Sequence, residues 1–348
     1  MRKSSLINLA SALAASCLLL QACGGAVEAE GGETAATPAT TAAWETVWSD
    51  DFDGETLDRT KWSAEESCWG GGNNERQCYT DRPENIRVEN GVLVLSARPE
   101  AHKGPLYPAH YTHLPSDQIG ESTHTSGKVI TYGKADWKYG RVSARIKLPA
   151  GQGAWAAFWM MPAQSVYGGW PLSGEIDIME SVNLGAVCDD CKDGIERRTS
   201  GAVHFGGAIP ENTYRFFKAE HEEAADPTAN WTVYSVEWAE GVIQWFVDDK
   251  IVMRLDQNDW YTDSENTNGS VVAPFDQAFY INLNLAIGGH LSEAFNARGL
   301  DETIFPAELQ VDWVRVEQCA GDRETGLACL SNQKWEGRPL GPSDNQAP

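Results

Sequence analysis

Apolar and polar residues alternate along several stretches of the chain, and this two-residue period is that of a half-buried β-strand. The alternation is clearest in residues 140–148, 231–238 and 278–285. Residues 239–241 predict a hairpin turn into a further strand at 242–247. Such strands, separated by turns that contain Gly and Asn and without a sustained helical period, predict an all-β fold. We expect a β-jelly-roll sandwich of two antiparallel sheets with one concave substrate cleft.

One predicted strand, within residues 173–181, carries three carboxylates in six positions. Side chains alternate along a strand, so Glu175 and Asp177 share one face. Glu180 reaches that face if one extra residue is inserted, and we therefore predict a β-bulge at about 178–179. Acids in such a row can supply the carboxylate pair of a retaining glycosidase. The alternatives are a solvent-facing acidic strand or a set of calcium ligands.

The amino terminus has the pattern of an export signal. Met-Arg-Lys followed by an apolar run at 6–20 is typical of a secretory signal peptide. Leu-Gln-Ala-Cys resembles the bacterial lipobox, which predicts a lipoprotein signal at residues 1–22 and lipidation of Cys23. An ordinary signal with an incidental cysteine is the alternative. We expect an exported lipoprotein, periplasmic or anchored in the outer membrane, that meets the membrane through its lipid only.

Changes in composition indicate the domain boundaries. Residues 23–43 are small and polar, so they predict a flexible linker. Large apolar side chains begin at Trp44, and a stretch rich in Gly and Pro follows Cys319. We therefore predict a single domain at 44–320 and a C-terminal tail at 321–348.

The cysteines of the predicted mature domain suggest disulfides, because their number is even and the chain is exported. They form three close pairs along the sequence, and local pairing is the connectivity that we expect among several. These pairs are Cys68 with Cys78, Cys188 with Cys191, and Cys319 with Cys329. Cys188-Asp-Asp-Cys191 could instead be a redox or metal pair, although it has neither a flanking histidine nor a second Cys-x-x-Cys.

The formal net charge of −23 limits the possible partners. Nucleic acid would be repelled by such a chain, and so, to a lesser degree, would a heavily sulfated polysaccharide. A neutral substrate is easier to reconcile with this charge. We expect a monomer.

The 14 tryptophans are unevenly distributed, and three lie just upstream of the acidic strand: Trp155, Trp159 and Trp170. Flat aromatic faces stack on sugar rings, which favours a sugar cleft, although any one of these side chains could instead belong to the core. Residues 73–75 and Arg82 could contact sugar hydroxyls or simply build a loop. His204 is a candidate partner for the acids or a buried structural histidine.

Residues 174–180 resemble the bulged signature of glycoside hydrolase family 16. Further segments are similar, in the same order, to the bacterial laminarinases of that family: 48–54, 73–80, 84–86, 139–141, 155–160, 204–207, 284–289 and 311–316. The resemblance covers about 44–319, essentially the whole predicted domain.

This resemblance implies a retaining endo-1,3-β-glucanase that acts on laminarin-like glucan, with mixed-linkage β-1,3-1,4-glucan as a second candidate substrate. Glu175 would be the nucleophile and Glu180 the acid/base. Asp177 would hydrogen-bond the nucleophile and separate the proton affinities of the two glutamates. The positions that would line the cleft are Trp155, Trp159, Trp170, Asn74, Arg82 and His204.

The resemblance also implies that catalysis needs no cofactor, while a structural calcium ion could bind away from the cleft. Its ligands would be Asp51, the backbone carbonyl of Gly91, and Asp312. Two alternative functions remain open at this point. One is hydrolysis of a marine galactan, as in agarases and carrageenases; the other is glucan binding without catalysis. The role of residues 99–125 is also open, since they could wall one end of the cleft or cover an edge strand.

Overall fold

Nineteen β-strands build the part of the chain that the computed structural model describes, residues 42–294 and 296–342. In chain order they are β1 Ala43–Asp50, β2 Ser63–Ala64, β3 Gln77–Tyr79, β4 Ile86–Glu89, β5 Val92–Ala97, β6 His102–Pro105, β7 Ile119–Ser122, β8 His124–Ser126, β9 Lys128–Ile130, β10 Gly140–Lys147, β11 Ala154–Pro162, β12 Glu175–Val182, β13 Arg198–Gly206, β14 Asn212–Glu220, β15 Thr232–Ala239, β16 Val242–Val247, β17 Lys250–Asp256, β18 Phe279–Ile287 and β19 Ala307–Ala320. Short 3-10 turns occur at Gly70–Gly72, Lys192–Gly194, Glu223–Ala225, Glu265–Thr267, Glu302–Ile304 and Leu327–Cys329, and a π turn at His290–Ala294.

Two large antiparallel sheets contain most of these strands. The seven-stranded sheet, here called the inner sheet, has the order β14-β13-β12-β11-β18-β9-β2. The eight-stranded outer sheet has the order β17-β16-β15-β10-β19-β5-β4, and β1 also pairs with β19. The sequence prediction of an all-β jelly-roll sandwich is therefore confirmed, and so are the strands expected from the alternation.

The core lies between the sheets and is filled by the apolar half of each alternating strand. From the inner sheet, β18 contributes Ile281, Leu283 and Leu285, each fully buried. From the outer sheet, Val142 and Ile146 of β10 face them as part of the same cluster. Because side chains alternate, the other residues of β18 must lie on the opposite face of the inner sheet, where the acids of β12 are also found.

Three disulfides join the cysteine pairs expected from their proximity in sequence. Cys68 is bonded to Cys78, Cys188 to Cys191, and Cys319 to Cys329. The last bridge holds the beginning of the segment predicted as a C-terminal tail.

The described part of that segment packs on the sandwich. Leu340 forms a β-bridge with Phe216 of β14, and Trp335 packs against the core. The backbone N–H of Ser331 donates to Glu237 of β15 at 2.7 Å. Residues 321–342 therefore contact both sheets.

The signal at 1–22, Cys23 and nearly all of the linker at 23–43 lie outside the described residues. Among residues 42–294 and 296–342, no helix has the length and apolar character needed to cross a membrane.

Candidate active site

The predicted bulge is present in β12 and puts the three acids on one face. Asp177 pairs with Ala202 of β13 and Glu180 with Ser200, so two residues of β12 lie opposite one residue of β13. The register against β11 shifts at the same place. Without the extra residue, Glu180 would point into the core.

Gly201 is the single residue opposite the bulge, and its lack of a side chain is required there. A Cβ atom at this position would lie 2.7 Å from the carbonyl oxygen of Asp177 and 2.7 Å from the ring of Phe217. The close approach of the two backbones therefore depends on glycine.

Each of the two glutamates accepts a hydrogen bond from an indole. Trp170 Nε1 donates to Glu175 Oε2 at 2.7 Å, and Trp155 Nε1 donates to Glu180 Oε1 at 3.0 Å. Trp170 lies in the β11–β12 connection and Trp155 on β11. Donors of this kind favour the ionised carboxylate. Two predicted sugar platforms thus also bind the acids directly.

His204 lies beside the acids, as its strand position requires. It pairs directly with Glu175 across β12 and β13, and its Nε2 is 3.4 Å from Asp177 Oδ2. The imidazole ring also lies 5.8 Å from the ring of Trp170. One carboxylate oxygen of Glu175, one of Asp177 and one ring nitrogen of His204 lie within 4.8 Å of one another, close enough to bind one metal ion together.

Burial raises the pKa of all three acids. For Glu175 the pKa rises to about 8, first because of burial and second because of the charge of Asp177. Burial raises the pKa of Asp177 well above its usual range, and the charge of Glu180 adds to this. Burial likewise raises the pKa of Glu180, while His204 and the indole of Trp155 oppose the rise. Burial of this row therefore favours the protonated forms, and an acid/base catalyst needs a group that holds a proton.

Trp159 continues the cleft across the inner sheet. Its indole is partly exposed, and its Nε1 donates to Asn284 Oδ1 at 2.7 Å. The ammonium of Lys128 lies 5.1 Å from the Trp159 ring centroid and 2.8 Å from Glu65 Oε2. Lys128 and Glu65 are both buried, so this ion pair forms part of the cleft floor.

The two remaining predicted contacts, Asn74 and Arg82, have hydrogen-bond partners other than the acids. Asn74 is exposed, and its amide lies 2.5 Å from His290 Nε2. The guanidinium of Arg82 is bound by Glu100 at 2.7 Å and also donates to Asn85. The structure does not bring either side chain to the carboxylate row, and their roles in sugar binding stay predictions.

Several cleft residues were missed from sequence. Glu75 was considered only as a possible sugar contact, and its nearness to Glu180, whose pKa its charge raises, was not predicted. Lys128 and Glu65 carry no sequence signal, because only folding brings them together. Asn282 and Asn284 could have been found, since they are the polar positions of an alternating strand whose apolar positions fill the core.

The three predicted calcium ligands lie in or next to strands of the outer sheet. One edge of β19 pairs with β5 as far as Val311 and with β1 from Val314 onward. Asp51, just after β1, and Gly91, just before β5, therefore both lie near Asp312. Oxygen donors of this type suit calcium.

Both aspartates already have a cationic neighbour. Arg315 contacts one oxygen of Asp51 at 3.3 Å, and Arg145 contacts one oxygen of Asp312 at 2.6 Å. The donors are all oxygen atoms, which suits calcium, and a bound ion would have to share the two carboxylates with the two arginines.

Comparison with known proteins places this geometry in context. The family model described as glycosyl hydrolases family 16 matches residues 73–315. The chain is 39% identical over 281 residues to a β-glucanase of Rhodothermus marinus, covering 78% of this chain and 85% of the relative. It is 37% identical over 278 residues to glucan endo-1,3-beta-glucosidase A1 of Niallia circulans, covering 78% of this chain but only 37% of that longer protein.

A solved structure agrees with these sequence matches. The X-ray structure of the laminarinase from Rhodothermus marinus superimposes with a TM-score of 0.65 at 33% identity. The match covers 81% of this chain and 100% of the laminarinase.

Proposed function

The chain belongs to glycosyl hydrolases family 16, and from this membership we propose that it is a retaining endo-β-glucanase that hydrolyses laminarin-like β-1,3-glucan. The observation that carries the proposal is the bulged strand β12, which presents Glu175, Asp177 and Glu180 on one face with an indole N–H on each glutamate. The names of the relatives support β-1,3-glucan as the substrate.

The proposed reaction has two steps. The carboxylate of Glu175 attacks the anomeric carbon while Glu180 gives its proton to the departing glycosidic oxygen, so a glycosyl-enzyme ester forms as the glycosidic bond breaks. Glu180, now ionised, then takes a proton from water, and that water releases the sugar from Glu175. Two inversions at the same carbon give net retention of configuration.

Asp177 determines which acid keeps a proton. Its raised pKa favours a protonated Asp177, which shares a hydrogen bond with Glu175. An ionised Asp177 is one cause of the raised pKa of Glu175, so a proton on Asp177 removes that cause and favours an ionised nucleophile. The hydrogen bond from Trp170 acts in the same direction.

Substrate preference is tested by the release of reducing sugar from laminarin, mixed-linkage β-1,3-1,4-glucan, agarose and κ-carrageenan. We expect product from laminarin, with mixed-linkage glucan as a second substrate. Product from agarose or κ-carrageenan alone would favour the galactan alternative. Binding to laminarin without product would favour the non-catalytic alternative, which the presence of all three acids argues against.

The role of Glu175 is tested with Glu175→Ala and azide. The variant should be inactive, and azide should partly restore cleavage by forming a glycosyl azide of inverted configuration, because the small anion occupies the place of the lost nucleophile. A rescued product of retained configuration would place the nucleophile elsewhere. Glu324→Ala, an exposed glutamate of the C-terminal segment outside the cleft, serves as the control.

We further propose a structural calcium ion held by Asp51, Asp312 and the carbonyl of Gly91. Calcium should then raise the melting temperature of EDTA-treated protein, because it binds the folded state only. Asp312→Asn should lose this shift while the activity measured without calcium is kept. An equal calcium shift in the variant would refute the assignment.

We also propose that the protein is a monomer exported as a lipoprotein. Cys23→Ser should move it from the membrane fraction to the soluble fraction, because one lost lipid attachment removes the anchor. Sedimentation of the soluble variant tests the monomer. Retention of Cys23→Ser in membranes would refute the lipid anchor.

A further inference from the structure

Residues 99–125 form a wall beside the inner sheet. Their hairpin, β6 and β7, is fixed to the loop that contains Cys68, whose backbone N–H donates to Pro105 O at 2.9 Å. The disulfide to Cys78 ties that loop to β3. The wall is therefore held at its base by covalent and backbone contacts.

A cavity of about 550 Å³ lies between this wall and the edge of the inner sheet. The wall contributes residues 105–112 and 114–116, and the sheet contributes residues 63–66 together with Ile130 and Tyr132. We call it the wall cavity. Its volume is within the range of small-molecule sites.

The cleft leads from the acids directly to the wall cavity. Across the inner sheet, Asp177 pairs with Trp159, Trp159 with Asn282, Asn282 with Ile130, and Ile130 with Ser63. The last two residues line the cavity. Four strand spacings separate β12 from β2, a path of roughly 19 Å. A polysaccharide lying across the strands at the acids would therefore meet the wall.

Polar groups along this path lack partners within the described residues. Asn282 is 1% exposed, yet neither atom of its amide forms a hydrogen bond. Buried amides are normally paired, and this one is shielded from the cleft, so an internal water rather than a sugar would satisfy it. No hydrogen bond of the described residues involves the hydroxyls of Tyr107, Tyr111 or Tyr132, which border the cavity.

The lining has the composition of a neutral sugar site. The Tyr111 ring lies 5.7 Å from the Trp69 ring, and the His110 ring lies 4.9 Å from the Tyr132 ring, so several aromatic faces surround the space. Glu65 and Glu66 also line it, which disfavours a sulfated or otherwise anionic sugar.

We propose that residues 99–125 close this end of the cleft and bind one neutral hexosyl unit of the polysaccharide in the wall cavity. This inference rests on the proposed function, since the polysaccharide is the substrate of the same cleft. The hexosyl unit is either the end of the main chain or a 6-linked side branch. Both present the same ring and hydroxyls, so the experiment has to distinguish them.

The test uses Glu175→Gln as an inactive parent, so that calorimetry reports binding alone. Ala109 is exposed and borders the cavity, and Ala109→Trp should fill it without removing a buried contact. Ala101→Trp is the matched control, because Ala101 is exposed on the same segment but does not line the cavity. The probes are linear β-1,3-gluco-oligosaccharides of increasing length and the same oligosaccharides with one 6-linked glucosyl branch.

Ala109→Trp should weaken binding about tenfold for those oligosaccharides that reach the cavity, and the shortest ones should bind as before. A loss confined to long linear probes identifies the chain end, and a loss confined to branched probes identifies the branch. Tyr111→Phe should give a smaller loss in the same direction. Equal affinities of Ala109→Trp and Ala101→Trp for every probe would overturn the proposal.

Hydrolysis of laminarin by the wild-type protein tests the proposed function separately. If laminarin is not cleaved, the same titrations are made with agaro-oligosaccharides. An unchanged affinity of Ala109→Trp for these would also overturn the wall cavity as a sugar site.

Discussion

Replacing Glu175 with glutamine should abolish hydrolysis and, at neutral pH, raise the free energy of unfolding. Burial and the charge of Asp177 raise the pKa of Glu175 from 4.5 to about 8. Between these pH values the hydrogen-bonded pair of Glu175 and Asp177 in the folded protein holds a proton that the unfolded chain has lost. The wild-type protein therefore loses stability as the pH rises through this window.

The magnitude follows from the two pKa values. Below pH 4.5 both states hold the proton and the carboxyl contributes its full stability, whereas above about pH 8 both are ionised and the contribution is gone. This shift corresponds to at most about 5 kcal/mol, since one pKa unit is about 1.4 kcal/mol. Glu175 is partly exposed, so solvent reduces this value. Between pH 4.5 and pH 8 we expect the free energy of unfolding of Glu175→Gln, relative to that of the wild type, to rise by about 2 to 4 kcal/mol.

Guanidinium unfolding, followed by tryptophan fluorescence at several pH values, measures this difference. Glutamine does not titrate, so the two proteins should be most alike near pH 4.5 and should diverge toward pH 8. Glu324→Gln is the control, because Glu324 is exposed and lies in the C-terminal segment. Parallel pH profiles for wild type and Glu175→Gln would refute the reasoning.

Three further predictions concern the surroundings of the acids. Trp155→Phe removes a hydrogen bond that lowers the pKa of Glu180, so the basic limb of the pH–activity profile should shift to a pH about one unit higher. A basic limb at the wild-type pH would contradict this role. Lys128→Met should destabilise the fold by about 3 to 5 kcal/mol in chemical unfolding, because it leaves Glu65 buried and unpaired. The double variant with Glu65→Leu should recover much of this loss. A double variant as unstable as Lys128→Met would count against the ion pair. Gly201→Ala should lower both the melting temperature and kcat, because a Cβ meets the backbone of the bulge, and wild-type values would show that the bulge tolerates it.

The fold class and the acid row could be predicted because both depend on local pattern. Alternation along β10, β15 and β18 reports which face each residue occupies, whatever the partner strand. The bulge could also be predicted from the sequence, because Glu175, Asp177 and Glu180 cannot share a face at their spacing without one extra residue. The local cysteine pairs followed from the same proximity in the chain.

The surroundings of the acids depend on strand pairing, which the sequence order does not reveal. Trp170 and Trp155 were predicted as stacking platforms, and only the structure shows their N–H groups directed at the glutamates. Lys128 and Glu65 are far apart in sequence and meet because β2 pairs with β9. The ion pair between Arg82 and Glu100 also joins residues apart in the sequence.

The sequence by itself therefore determined the sandwich, the face on which the acids lie, and the family. Each of these follows from residues close together in the chain. The tertiary structure decided how the cleft ends, because the wall at residues 99–125 is joined to the edge of the inner sheet by contacts across distant segments. It also decided the protonation of the acids, since burial raises the pKa of Glu175, and that burial exists only once segments distant in the sequence have assembled around the cleft.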